Sequence, residues 1–156
     1  MQRLLVLSAI ATLVLAGIPA MAQSPCNQEM LRGVWCEKCT GFYDLSKFDP
    51  RVPKGTFVPI SLLLRYVVNA DGKGTGKGFG SFGGNAGPVE MAVTFTVNPG
   101  CTGEKAYTLK TSSGQTLEGK AGVIFMPSGL ELEALIQTAG DVLSCKWKKM
   151  FHHTLV

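Results

Sequence analysis

FVPISLLLRYVVNADGKGTGKGFGSFGG, residues 57–84, decides the fold class. In its first half Ile60, Leu62, Leu64, Tyr66 and Val68 share one face, with Ser61, Arg65 and Asn69 opposite, the period-two pattern of a half-buried strand. Asp71-Gly72 is a tight-hairpin dipeptide. From Gly72 to Gly80 glycine then takes every second position, so one face of the returning strand has no side chains while Lys73, Thr75, Lys77 and Phe79 point the other way. Glycine weakens a strand interior, so this run implies sharp curvature or the close approach of something else.

The same alternation continues downstream. A loop through Gly87-Pro88 leads to a strand in which Met91, Val93, Phe95 and Val97 oppose Ala92, Thr94 and Thr96, and Asn98-Pro99-Gly100 turns the chain. Strands are predicted over Lys105–Thr111, Gln115–Met126, Leu130–Thr138 and Val142–Phe151, separated by Ser112-Ser113-Gly114, Pro127-Ser128-Gly129 and Ala139-Gly140-Asp141. Upstream, Met30–Trp35 starts a first strand through a short turn or helix, and Thr40–Thr56, with its Gly and Pro residues, reads as a long connection. About eight strands with short turns and no helix predict an all-β domain, a single antiparallel up-and-down barrel of calycin-like shape, because closure removes exposed edges. A β-sandwich is the alternative.

Residues 1–22 read as a signal peptide: Arg3, the apolar run LLVLSAIATLVLAG, and the small-x-small Ala20-Met21-Ala22. The run is shorter than the roughly 20 residues that span a bilayer. Residues 23–156 form the barrel domain, an exported, periplasmic or extracellular protein with no transmembrane segment after cleavage. Without Arg3 the chain has 14 basic and 11 acidic residues, a net charge of +3. So small and dispersed a charge argues against nucleic acid as a partner.

Several motifs look chemical and lack their context. Trp35-Cys36-Glu37-Lys38-Cys39 has the WCxxC spacing of thioredoxin-like oxidoreductases, but that chemistry needs the first cysteine at a helix N-terminus, and Gly41, Asp44, Pro50 and Pro53 follow. Gly78-Phe79-Gly80-Ser81-Phe82-Gly83 fits a kinase glycine-rich loop without the lysine and aspartates such a loop serves. His152-His153 are adjacent and so point to opposite faces of a strand. Glu131 and Glu133 share a face, but one opposite Leu130 and Leu132. Neither a catalytic set, a metal set nor a cofactor is expected, and the reading favours a protein that is not an enzyme.

Four segments resemble a group of small secreted bacterial β-barrel proteins: Cys26 with Leu31–Trp35 (C…LKGTY), Arg65–Gly74 (a strand into DGxG), Thr94–Gly103 (YTVNPDCTG) and Leu135–Ser144 (IQTDxGxVxSG). Gly100 departs from that pattern, as do Cys145, Cys36 and Cys39. The resemblance implies a secreted calycin-like barrel and supplies no catalytic residue. Gly33-x-Trp35 beside a basic last strand is also similar to the lipocalin and avidin signature, in which a first-strand Trp packs beneath a basic side chain. Lys146 or Lys148 is the expected partner.

Five cysteines in an exported chain imply disulfides with one thiol left over. In an up-and-down barrel the N-terminal segment meets the turn between the fourth and fifth strands, which pairs Cys26 with Cys101. The last strand closes antiparallel to the first, which pairs Cys145 with Cys39, or with Cys36 in its place.

The expected function is a non-enzymatic exported barrel that binds a small apolar ligand or acts as a stable envelope module. Tyr66, Gly76, Gly78, Gly80, Phe95, Phe125 and Trp147 line either the ligand space or a packed core, and aromatic side chains of the chain itself are expected to fill the glycine gap. The alternatives are a thiol-disulfide oxidoreductase through Cys36 and Cys39, a barrel cyclase or isomerase, and an interaction module whose Lys146, Lys148 and Lys149 meet an acidic partner or membrane surface.

Overall fold

A computed structural model describes residues 26–47, 49–136 and 141–150. The expected signal peptide, His152-His153 and most of the last turn lie outside them. Eight antiparallel strands form a closed barrel: β1 (Gly33–Asp44), β2 (Phe57–Val68), β3 (Lys73–Phe82), β4 (Asn85–Asn98), β5 (Thr102–Thr111), β6 (Thr116–Phe125), β7 (Glu131–Ile136) and β8 (Asp141–Met150). Each strand pairs with its neighbours in sequence, and β8 closes on β1 with Cys39 opposite Cys145. This is the up-and-down barrel, not the sandwich. Among the described residues no helix is long and apolar enough to cross a membrane.

Two boundaries differ from the sequence expectation. β1 runs on through Thr40–Asp44, where Gly41 and the prolines beyond it read as a loop. Gly41 serves close packing instead: a Cβ there would stand 2.0 Å from the Val142 carbonyl oxygen of β8. β4 starts at Asn85, upstream of Gly87-Pro88. Its last partner on β5 pairs Val89 with Thr111, so Pro88 sits at a strand edge, where proline is tolerated. The β3–β4 connection is thus the two-residue hairpin Gly83-Gly84, with both residues at positive φ (58° and 91°) as such a turn demands.

The glycine strand is explained by close approach, of core side chains at Gly76 and Gly80 and of the β2 backbone at Gly78. A Cβ on Gly76 would lie 2.5 Å from Cδ1 of Tyr66, and one on Gly78 would lie 2.0 Å from the Leu63 carbonyl oxygen. Leu62, Phe82 and Val89 crowd Gly80 in the same way. Tyr66 stacks on Trp147 with ring centroids 4.5 Å apart, and Phe95 meets Trp147 edge-on at 5.0 Å. Phe125 is buried further round the wall, against Gly103. Side chains of the protein itself occupy the barrel axis.

One end of the barrel is plugged. A 3-10 turn, Gln28–Leu31, crosses it, capped by Asn27, whose side chain accepts from the Met30 amide. The Gln28 side chain acts as a short extra strand beside β4, donating to the Phe95 carbonyl at 2.7 Å and accepting from the Val97 amide at 3.1 Å. Leu31 is buried and accepts from Trp35 Nε1 at its carbonyl (2.7 Å). The Cys26–Cys101 disulfide fastens this plug to the β4–β5 turn.

Candidate functional site

The alternation that buries Trp35 and Cys39 on β1 also turns Glu37 inward, and the same rule turns Lys105 of β5 inward with Leu109. The two meet across the core. Lys105 Nζ donates to Glu37 Oε1 at 2.6 Å, and the exposures of the two side chains are 2% and 0%. Tyr66 Oη donates to the other carboxylate oxygen, Oε2, at 2.6 Å, with Met91 Sδ 2.8 Å from the same hydroxyl. Around the ammonium lie the rings of Trp147, Tyr107 and Tyr66, at 4.5, 5.5 and 5.8 Å from their centroids. These satisfy a buried charge by pairing, hydrogen bonding and cation–π contact. Burial pulls the Lys105 pKa below the ordinary lysine value, against the pull of Glu37. Burial, with the neighbouring carboxylate, pushes the Tyr66 phenol well above its ordinary range, so it remains a donor.

Trp147 Nε1 is buried with no hydrogen-bond partner among the described residues. Beside the ion pair an enclosed cavity of about 20 Å³ is bounded by Glu37, Lys105, Tyr43, Tyr107, Leu62 and Leu109. That is space for a water molecule, which needs about 10–15 Å³, and not for an apolar ligand.

Larger space exists at the unplugged end. An open cavity of about 420 Å³ lies between the β1–β2 loop, the β3–β4 hairpin and the β5–β6 turn. Phe82, Val89 and Pro88 give it apolar walls, and Ser112, Gln115 and Asp49 give it polar ones. Gly80, one of the candidate lining residues, faces this space; Gly76, Tyr66, Phe95 and Trp147 belong to the packed layer below. The loop forming one wall is tied down by Lys47, whose ammonium sits 2.7 Å from Asp141 of β8. Asp44 accepts from the amides of Ser46 and Gly55, and Asp49 holds Arg51 by two side-chain hydrogen bonds.

These loop carboxylates set an acid limit. Hydrogen bonds from Ser46 hold the Asp44 pKa below its ordinary value, and Arg51 brings Asp49 down to about 2. On the outer wall, Lys77 lowers Glu90. A lowered folded-state pKa means that the unfolded chain takes up the proton first, so these groups stabilise the fold above the ordinary carboxylate range and lose that contribution as pH falls through their folded values. The thermal midpoint, followed by circular dichroism, is expected to decline as pH falls from about 4.5 to about 2; a midpoint that climbs across that window would contradict the assignment.

The other sequence candidates resolve simply. Cys36 points outward and is a free thiol, while Cys39 points inward and is bonded to Cys145. The CxxC pair therefore lies mid-strand on opposite faces, away from any helix N-terminus. Cys39 Sγ is 3.1 Å from Glu37 Oε1. The cluster of Glu37, Cys39 and Cys145 resembles a metal-ligand set only in proximity, since the two sulfurs are joined to each other. Lys146 and Lys148 point outward and pair with Glu133 (3.0 Å) and Glu131 (2.9 Å) across β7–β8. The Trp beneath a basic side chain is present, with a different partner from the expected Lys146 or Lys148: Lys149 lies over Trp35 at 5.5 Å and donates to the Met30 carbonyl of the plug at 2.9 Å. Register decides this, because Lys149 is the residue opposite Trp35.

Glu37 and Lys105 were missed by motif reading. Their signal was phase: each is a charged residue on the inward register of an otherwise apolar strand face. Compared with protein-family models, curated proteins and solved structures, the chain matches none. Fold and site together define a disulfide-stapled, eight-stranded closed barrel with a charged core and one open end.

Proposed function

We propose that this protein is an exported barrel that binds a small amphipathic ligand at its open end, the packed core serving as a rigid base. The observation that carries this reading is the cavity of about 420 Å³ at the unplugged end, with apolar Phe82, Val89 and Pro88 beside polar Ser112 and Gln115. Its volume falls in the range of about 300–1,000 Å³ common to small-molecule sites, and apolar walls with a few polar groups are their usual chemistry. Two disulfides support an oxidising destination. The plug, and Trp35 beneath Lys149, support the calycin-like reading.

An outward Cys36 and a bonded Cys39 weigh against a dithiol oxidoreductase. The Glu131 and Glu133 partners of Lys148 and Lys146 weigh against a basic docking strip.

The apolar fluorophore N-phenylnaphthylamine probes the open end. Gly87 faces that space, and a Cβ there meets only Ser112 Oγ, at 3.1 Å, so Gly87→Phe fills the cavity without a backbone clash. The wild-type protein is expected to bind the fluorophore saturably and the variant at least tenfold more weakly (a difference of about 1.4 kcal/mol), with thermal midpoints alike. No saturable binding by wild type, or equal binding by both, would overturn the reading.

A further inference from the structure

The buried pair at the centre of the barrel has a geometry suited to more than an ion pair. Lys105 Nζ touches one carboxylate oxygen of Glu37, Tyr66 Oη touches the other, and both contacts are 2.6 Å. Glu37, Tyr66 and Lys105 are all essentially without solvent contact. Three aromatic rings wrap the amine, and the cavity of about 20 Å³ borders both reacting side chains. We propose that Lys105 and Glu37 condense into an intramolecular amide that ties β5 to β1 across the core.

The step balances with these groups alone. A proton passes from Nζ to Oε1, giving a neutral amine and a neutral acid, which leaves no charge to be solvated in the desolvated site. The Nζ lone pair attacks Cδ. Negative charge builds on Oε2, where the Tyr66 hydroxyl already donates, an arrangement that stabilises a tetrahedral intermediate. Oε1 leaves as water, taking a second proton from nitrogen, and the carbonyl reforms at Oε2. Ammonium and carboxylate thus become one amide and one water, with no oxidant, reductant or co-reactant. The adjoining cavity is large enough to receive that water. Exclusion of bulk water from the site protects the amide from hydrolysis. Proximity supplies the rate: two groups held in contact react at an effective molarity far above that of free solutes.

Intact-mass spectrometry of the reduced, unfolded full chain reads the outcome directly. The expected mass is one water below that calculated for the chain after signal cleavage, residues 23–156. Lys105→Met is expected to show its full mass, a result that does not depend on its folding. Trypsin is expected to release a branched peptide that joins Gly33–Lys38 to Gly78–Lys110, since an acylated Lys105 is not cleaved. Tyr66→Phe, which keeps the ring stack, is expected to leave a larger unlinked fraction. A wild-type chain at the full mass of residues 23–156 after prolonged incubation of the folded protein, or a missing water that maps elsewhere, overturns the proposal.

Discussion

Lys105→Met alone is expected to destabilise the barrel by about 3–5 kcal/mol, the cost of breaking a buried pair from one side. The methionine fills much of the lysine volume, so packing changes little; the loss comes from Glu37, left buried with only Tyr66 to answer its charge. The same residue is orphaned whether the two side chains meet as ions or as an amide. Glu37→Met together with Lys105→Met is expected to recover the part of that loss due to the stranded charge, because an apolar pair of similar volume carries no desolvation cost, and not the part that a covalent link between β5 and β1 contributes. Urea denaturation of the single and double variants gives the coupling directly. A single variant within about 1 kcal/mol of wild type would show that the charges are better solvated than their burial implies.

Removing the Cys39–Cys145 disulfide by a double Ala substitution is expected to cost about 2–5 kcal/mol. The bond joins directly opposed residues of β1 and β8, the strands whose pairing closes the barrel, across a sequence separation of 106. A link across so long a loop removes much of the freedom of the unfolded chain, about 4.7 kcal/mol in the chain-entropy account for a loop near 100 residues. Cys39 also stands against Glu37, so its loss and that of Lys105 are expected not to add. Replacing Cys26 and Cys101 instead is expected to loosen the plug first, seen as faster hydrogen exchange at Val97, whose amide is held by Gln28. Equal exchange at Val97 and in β1 would place both disulfides in one cooperative unit.

Much of the architecture was legible because a barrel of this kind repeats one local rule. Inward phase in Ile60–Val68 and Met91–Val97, with short turns between strands, leaves few ways to bury every apolar face except closure. Cys26–Cys101 followed from that topology, since an up-and-down order fixes which ends meet; the same order narrowed the partner of Cys145 to Cys39 or Cys36, and the inward phase of Cys39 decides between them. Gly41 and Pro88 misled because glycine and proline punctuate loops in sequence, yet here they permit close strand approach and occupy an edge. Likewise Lys149, rather than Lys146 or Lys148, covers Trp35 because closing register sets partners that composition does not encode.

By itself the sequence determined strand phase, and with it the inward faces, the glycine gap and the Cys26–Cys101 pairing, with Cys39 or Cys36 as the partner of Cys145. These depend on local alternation and chain order. Only the tertiary structure decided that Tyr66 fills the space beside Gly76, that Glu37 meets Lys105, and that the barrel is packed along its axis with an open cavity above it at the unplugged end. Those outcomes depend on which opposite walls of a closed barrel face one another. Residues 68 positions apart become partners there through shear and side-chain size, which no single strand contains.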